Sequence, residues 1–256
     1  MAGMSDHRTS EQTEDRYARQ WQLPELGTDG HRRIRESGVV IVGCGALGSN
    51  SADLLARSGI GRLTLIDADH LAEHNLQRVA SYREQDIGRP KVEALADALR
   101  AANRDVQVHT VIDRVRAGNA SELIAQGDLV IDGLDNYASR YVVNDACVSS
   151  GMPWVFGAVA ATSGITMLIV PGEGACLRCL FPEAPPPDSV LTAGTSGLLA
   201  PTPRLIASLQ VAFALRWISD PDSSRASRLL FVDCWDPSWF EQPVARNADC
   251  PSCSIL

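Results

Sequence analysis

A glycine-rich loop between a predicted strand and a predicted helix constrains the fold more than any other feature. Residues 43–48 read Gly-Cys-Gly-Ala-Leu-Gly; they follow the apolar run 38–42 and open a helical pattern over 45–57. Glycines at this spacing let the backbone approach phosphate, and a helix N-terminus favours anions. The loop therefore predicts a nucleotide-binding α/β fold, with the phosphate contacts at Gly43, Gly45, Ala46 and Gly48.

The rest of the chain alternates between short apolar runs and helical patterns. Such alternation specifies a parallel sheet covered on both faces. We predict a doubly wound, Rossmann-like, mostly parallel sheet with helices on both faces, forming a single domain over 15–256 after a flexible tail over 1–14. The predicted strands are 38–42, 62–66, 106–111, 128–132, 154–158, 165–170 and 229–232, and the predicted helices are 11–23, 29–36, 45–57, 89–102, 119–125, 138–150 and 203–218.

An acidic residue, Asp67, ends the second predicted strand and can accept hydrogen bonds from ribose hydroxyls. Taken alone, the loop and this carboxylate favour a dinucleotide-dependent oxidoreductase, and a purely structural glycine turn is the other interpretation. The following motifs favour a different ligand, because Arg78, Lys91 and Asp135 are all expected near the same crevice. Two cations and a carboxylate suit a nucleoside triphosphate with magnesium better than a nicotinamide. Lys91 is also the only lysine among 23 basic residues.

Four of the seven cysteines form two CxxC pairs. Each pair can direct two sulfurs at one ion, and four thiolates complete a tetrahedron around zinc. The pairs lie about 70 residues apart, so we expect a structural zinc site near the C-terminus that clamps the tail onto the body. A redox CxxC and coincidence are the alternatives. The predicted ligands are Cys176, Cys179, Cys250 and Cys253.

The composition excludes several classes of protein. The chain has 31 acidic and 23 basic residues and a net charge of −8. Coating of nucleic acid or of an anionic membrane is therefore disfavoured. The sequence contains no apolar run long enough to span a bilayer and no hydrophobic signal core at its N-terminus, so we expect a soluble, cytoplasmic protein.

The order and spacing of these motifs resemble the MoeB/ThiF/HesA family, the prokaryotic relatives of the ubiquitin-activating enzyme. The resemblance extends from about Asp15 to Cys253. The motifs that carry it are Arg16-Tyr-Ala-Arg19-Gln20, the glycine loop, Asp67-Ala-Asp69, Asn75-Leu-Gln-Arg78, Gly-Arg-Pro-Lys91, Leu134-Asp135-Asn136 and the two CxxC pairs.

The resemblance implies an adenylyltransferase that uses ATP to activate the C-terminal Gly-Gly carboxylate of a ubiquitin-like sulfur carrier for molybdopterin or thiamine synthesis. Arg19 of a neighbouring subunit would reach the phosphates, which implies a homodimer, and Asp135 would hold magnesium. Arg78, Lys91 and Asp135 join Arg19 as the implied catalytic residues. The implied ATP-binding set is Gly43, Gly45, Ala46, Gly48, Asp67, Asp69, Asn75, Gln77, Arg78, Lys91, Asp135 and Asn136.

Some of these residues have structural alternatives. Arg19 can decorate a solvated helix, Asn75 can tie a loop, and Asn136 can cap the next helix. The chain departs from the family at Ala193, which stands where many relatives have a cysteine in the crossover segment. An enzyme-bound thioester is therefore not expected there. We expect a separate protein to donate the sulfur. A ribosomal peptide or a tRNA base remains an alternative acceptor, and a nicotinamide-dependent oxidoreductase is less favoured.

Overall fold

The fold is built on one mixed β-sheet. A computed structural model describes residues 10–183, 185–186, 193–223 and 225–254. Within these residues the sheet has eight strands in the order β3-β2-β1-β4-β5-β6-β7-β8; the first five are parallel, and β6, β7 and β8 continue antiparallel. The strands are β1 Gly38–Val42, β2 Arg62–Ile66, β3 Gln107–Val111, β4 Leu129–Asp132, β5 Trp154–Ala160, β6 Ser163–Ile169, β7 Arg228–Asp233 and β8 Ser238–Pro243.

Helices cover both faces of this sheet. One core packs α3, α4 and α9 against side chains such as Ile41 and Leu65, and the other packs α5 and α6 against Val40 and Val130. Central strands are thus buried on both sides, as parallel strands require, and the predicted doubly wound α/β fold is confirmed. The helices are α1 Ser10–Trp21, α2 Gly27–Glu36, α3 Ala46–Arg57, α4 Lys91–Ala102, α5 Ala120–Ile124, α6 Tyr137–Ser150, α7 Leu177–Leu180, α8 Ala193–Ser196 and α9 Pro201–Ser219.

Several elements were not expected from the sequence. Strand β8, the short helices α7 and α8, and a 3₁₀ segment at Glu73–Arg78 all lack a clear hydrophobic period. Helix α1 begins at Ser10, within the segment predicted as a tail. Residues 1–9, 184 and 187–192 lie outside the described residues. No helix in the described part of the chain is long and apolar enough to cross a bilayer.

Helix α1 packs at the amino ends of the strands. Arg16 donates to Asn103 Oδ1 at 2.6 Å, and Gln20 donates to the carbonyl of Ser58 at 2.9 Å. Asn103 and Ser58 follow the C-terminal ends of α4 and α3, which run antiparallel to the strands. This placement puts α1 at the opposite end of the sheet from the carboxyl ends of the strands.

A buried ion pair links β4 to α6. Arg140 Nε donates to Asp132 Oδ2 at 2.9 Å, and the two side chains are 5% and 0% exposed. Burial raises the pKa of Asp132, and the adjacent Arg140 opposes that shift. Arg140 also donates to the carbonyls of Leu134 and Gly157. It therefore fixes the loop after β4 as well as the pair itself.

We expect Arg140→Met to destabilise the fold strongly. Removing one partner leaves the Asp132 carboxylate buried without its counter-charge, which costs about 3–5 kcal/mol. Denaturant unfolding measures the change in the free energy of unfolding. The control is Arg57→Met, which breaks an ion pair to Asp53 whose arginine is 59% exposed; its expected cost is below about 1 kcal/mol. Equal costs in the two variants would contradict the role of burial.

Candidate nucleotide site

A large cavity opens at the carboxyl ends of the parallel strands. It has a volume of about 1900 Å³ and lies where the strand order reverses between β1 and β4. Open parallel α/β sheets bind ligands at this switch point, because the loops from the two neighbouring strands diverge there. The sequence-predicted residues that line the cavity are Gly43, Gly45, Ala46, Asp67, Asp69, Asn75, Arg78, Lys91, Asp135 and Asn136.

Three glycines bring two backbones into contact at the base of this cavity. Gly43 has φ +90°, and a Cβ added at Gly48 would lie 1.8 Å from the Gly43 carbonyl oxygen. A Cβ added at Gly133, after β4, would lie 2.0 Å from the same oxygen. A side chain at Gly43 or Gly133 would force the two loops apart, and one at Gly48 would deform the first loop. The glycine loop therefore rests directly on the β4 loop, with the N-terminus of α3 facing the cavity.

Asp67 and Tyr82 hold the glycine loop in place. The Asp67 carboxylate accepts from the backbone N–H groups of Cys44 at 2.7 Å and Asp69 at 2.8 Å. The buried Tyr82 hydroxyl donates to the Cys44 carbonyl at 2.7 Å. Asp67 keeps further lone pairs for a ribose, because a carboxylate has about four acceptor sites. Tyr82 was not found from the sequence, since it belongs to no motif and reaches the loop only through the tertiary fold.

Besides the buried Arg140, the side chains of Lys91, Arg114 and Arg78 bring positive charge to the cavity lining. Lys91 Nζ lies 3.2 Å from Asp69 Oδ2, and the lysine side chain is 12% exposed. Arg114 Nη2 lies 3.2 Å from the other oxygen of Asp69, and Arg78 donates to the carbonyl of His74 at 2.8 Å. Such a set can neutralise several phosphate charges. Arg114 was missed because it is a single exposed arginine after β3, and arginine is common in this chain.

The predicted amides make structural hydrogen bonds in this structure. Asn136 caps α6 by accepting from the Ser139 N–H at 2.9 Å. Asn75 accepts from the Ala72 N–H at 3.1 Å, and Gln77 donates to the Leu198 carbonyl at 3.3 Å. The last bond ties the 3₁₀ segment Glu73–Arg78 to the crossover segment before α9. Gln77 thus lies beside the cavity and holds the lining residue Leu198 in place.

Asp135 and Arg19 occupy opposite ends of the molecule. Asp135 is exposed and lines the cavity, and its Oδ1 accepts from the Asn136 amide at 3.2 Å. Carboxylate and water oxygens are the usual ligands of magnesium, so this position fits that ion. Arg19 is exposed on α1, at the amino ends of the strands. The structure does not bring it together with the other candidates in one chain.

The four cysteines of the CxxC pairs converge on one point. Their sulfurs all lie within 4.8 Å of one another, with Cys176–Cys250 at 3.5 Å and Cys179–Cys253 at 3.4 Å. A tetrahedral zinc site with bonds of about 2.3 Å places its sulfurs ~3.8 Å apart. The donor set and its spacing fit zinc, and the site has four protein ligands with no open position.

Two of the other three cysteines lack the environment of a nucleophile. Burial raises the pKa of the Cys44 and Cys147 thiols well above the usual range, so both stay protonated at neutral pH. Cys234 is half-buried after β7. Ala193 is the first residue of α8 and occupies the position where a cysteine would be expected from the family resemblance.

Fold and site together define a doubly wound α/β protein with a glycine loop, cationic side chains and carboxylates around one cavity at the switch point of the sheet. A model of the ThiF family matches residues 17–252, and the chain belongs to that family.

Its relatives include one protein named as an activating enzyme and one named as an adenylyltransferase. The chain is 39% identical to the SAMP-activating enzyme E1 of Haloferax volcanii, covering 93% of this chain and 88% of the relative. It is 37% identical to the sulfur carrier protein adenylyltransferase of Thermus thermophilus, with 93% and 90% coverage. Among solved structures, E. coli MccB with ATP superposes with a TM-score of 0.81 at 22% identity, covering 96% of this chain and 76% of that one. The last likeness shows the shared fold.

We expect Gly48→Ala to abolish nucleotide binding. The new methyl group would have to displace the Gly43 carbonyl, which deforms the phosphate-binding turn. Isothermal titration with ATP measures the affinity. The control is Gly118→Ala, because a Cβ added at Gly118 meets nothing within 4 Å. Wild-type affinity in Gly48→Ala would show that phosphates do not bind at this turn.

Proposed function

We propose that this protein is an adenylyltransferase that uses ATP to activate the C-terminal glycine carboxylate of a ubiquitin-like sulfur carrier. The observation that supports this most is the convergence of the glycine loop, Lys91, Arg78 and Asp135 on one cavity. The same chain is 37–39% identical, over nearly its whole length, to one relative named SAMP-activating enzyme and one named sulfur carrier protein adenylyltransferase.

The cavity is large enough for two substrates. Typical small-molecule sites have volumes of about 300–1,000 Å³, whereas this one has about 1900 Å³. A nucleotide on the β1–β2 side leaves space beside β5 and β6, where Ala158, Ala160 and Gly164 line the wall. Small residues there suit the entry of a thin, extended peptide tail ending in Gly-Gly.

The reaction is a displacement at the α-phosphorus. A carboxylate oxygen of the carrier forms a bond to that phosphorus, and the bond to the bridging oxygen of pyrophosphate breaks, giving an acyl-adenylate and pyrophosphate. Asp67 holds the ribose, and the glycine loop holds the phosphates. Lys91 and Arg78 stabilise the negative charge that grows on the pyrophosphate as it leaves. Asn75 and Asn136 orient these groups through the loops that they tie.

Asp69 balances the cations before substrate binds. Its two carboxylate oxygens contact Lys91 and Arg114, which keeps both cations at the cavity wall. Asp135 provides a carboxylate for magnesium, which would supply further positive charge to the phosphates when bound. Zinc in the cysteine cluster would have a structural role, because four thiolates leave no position for substrate.

The acyl-adenylate is consumed by a sulfur nucleophile from another protein. The buried Cys44 and Cys147 are unsuited to attack, and position 193 has no thiol. We therefore propose a separate sulfur donor and no covalent enzyme–carrier thioester. We also propose a homodimer, because Arg19 lies far from the cavity of its own chain and can reach phosphates only in that of a second copy.

The defining experiment is ATP–pyrophosphate exchange with candidate carriers. We expect exchange that depends on a carrier with an intact Gly-Gly end, and we expect Lys91→Ala and Asp135→Ala to abolish it with unchanged zinc content and thermal stability. The control is Arg104→Ala, an exposed arginine near the amino ends of the strands, which should keep full exchange. Full exchange in either cavity variant would refute the assigned roles. Exchange with a peptide and with none of the carriers would show that the acceptor is a peptide.

An apolar row leads from the cavity to the outer edge of the sheet. Ala158, Ile165, Phe231 and Phe240 lie directly opposite one another on β5, β6, β7 and β8. Residues paired in this way share one face of the sheet. The first three line the cavity, while Phe240 is 59% exposed and its ring centroid lies 5.1 Å from that of Phe231. We propose that the carrier's folded body docks on Phe240 while its tail follows this row inward.

Phe240→Ala should weaken carrier binding. Aromatic residues at interfaces often contribute more than 1 kcal/mol, so the KM for the carrier should rise about tenfold. The KM for ATP should not change. Trp239→Ala is the matched control, because Trp239 is 68% exposed on the same strand and successive strand residues point to opposite faces. Equal effects of the two substitutions would refute docking on this row.

A further inference from the structure

Tyr141 connects the second turn of α6 to the wall of the cavity. Its hydroxyl lies 2.7 Å from the carbonyl oxygen of Phe181 and 3.0 Å from that of Glu183, and its single proton is shared between these two acceptors. Phe181, Pro182 and Glu183 all line the cavity. Because Tyr141 is buried, water is poorly placed to replace its hydroxyl at these carbonyls. The position of this wall segment therefore depends on the tyrosine.

The ring of Tyr141 also contacts helix α7, which bears a cysteine of the first CxxC pair. The guanidinium carbon of Arg178 lies 4.4 Å from the centre of the Tyr141 ring. Arg178 lies between Cys176 and Cys179 in sequence and forms two hydrogen bonds to Asp145, at 2.8 and 2.7 Å. The ring of Tyr141, which projects from α6, is thus packed against Arg178 of the first CxxC pair.

The second CxxC pair attaches to the same helix. The hydroxyl of Ser252, between Cys250 and Cys253, donates to Asp145. The neighbouring Asn144 accepts from the Leu177 N–H at 2.9 Å. Both cysteine segments therefore meet α6 one turn from Tyr141, and opening the cluster would release α7 and its grip on the tyrosine.

We propose that Tyr141 is a positioning residue through which the closed cysteine cluster sets the acceptor side of the cavity. The inference rests on the proposed function. The glycine loop, Asp67 and Lys91 lie on the β1–β2 side, and the hydrogen bonds that hold them do not involve Tyr141. The segment 181–183 lies on the side of α6. The cluster therefore controls the affinity for the acceptor and leaves the affinity for ATP unchanged.

The test compares two tyrosine hydroxyls. Tyr141→Phe removes the bond to the wall, and Tyr82→Phe removes the equivalent bond to the Cys44 carbonyl in the glycine loop. Losing one such bond should raise the affected KM about three- to tenfold. In pyrophosphate exchange we expect the carrier KM to rise in Tyr141→Phe and the ATP KM to rise in Tyr82→Phe. Elemental analysis should find wild-type zinc in both.

Withdrawal of zinc from the wild-type protein tests the link without a substitution. After mild chelation, the wild-type protein should bind the carrier as weakly as Tyr141→Phe does. Chelation of Tyr141→Phe should weaken its carrier binding little further, because both changes break the same connection between the cysteine cluster and the cavity wall. Equal rises of both KM values in Tyr141→Phe, an unchanged carrier KM, or lost zinc in that variant would overturn the inference. Absence of exchange in the wild-type protein with every carrier would instead overturn the proposed function, and this inference with it.

Discussion

The site depends on the contact between two backbones at the switch point of the sheet. Gly43, Gly48 and Gly133 leave no side chain between the loop after β1 and the loop after β4. The phosphate-facing start of α3 and the carboxylate of Asp135 therefore lie on adjacent loops. A larger residue at Gly43 or Gly133 would separate the anion-binding turn from the acidic group that fits magnesium, and one at Gly48 would deform the turn itself. Asp67 and Tyr82 then fix the turn from the other side.

The parallel and antiparallel halves of the sheet carry different parts of the proposed site. The parallel strands end in loops that bear Asp67, Lys91 and Asp135, because the carboxyl ends of parallel strands converge at one edge. The antiparallel strands extend the sheet sideways and carry the apolar row that ends at Phe240. A hairpin extension provides length without crossover helices, so its edge remains exposed. The proposed nucleotide site and the proposed docking row for the carrier therefore lie on one sheet.

The sequence predicted the parallel half better than the antiparallel half. The bounds of β1 and β2 agree with the expected runs 38–42 and 62–66, because buried parallel strands read as short continuous apolar segments. Strand β8 was missed because all its residues are exposed and its aromatic side chains lie on both faces. The glycine loop and Lys91 were found because their neighbours in sequence form motifs. Tyr82, Arg114 and Arg140 act through tertiary contacts that no local pattern records.

Helix α6 joins the four-cysteine cluster to the wall of the cavity. Its N-terminus is capped by Asn136, next to Asp135, and its first turns carry Arg140 and Tyr141. Its middle carries Asn144 and Asp145, which bind both cysteine segments. A helix transmits such constraints well because its hydrogen-bonded turns move together, whereas the irregular segment after α7 depends on side-chain bonds for its position. The wall formed by residues 181–183 is therefore the part of the cavity most sensitive to the cluster, and the glycine loop is among the least sensitive.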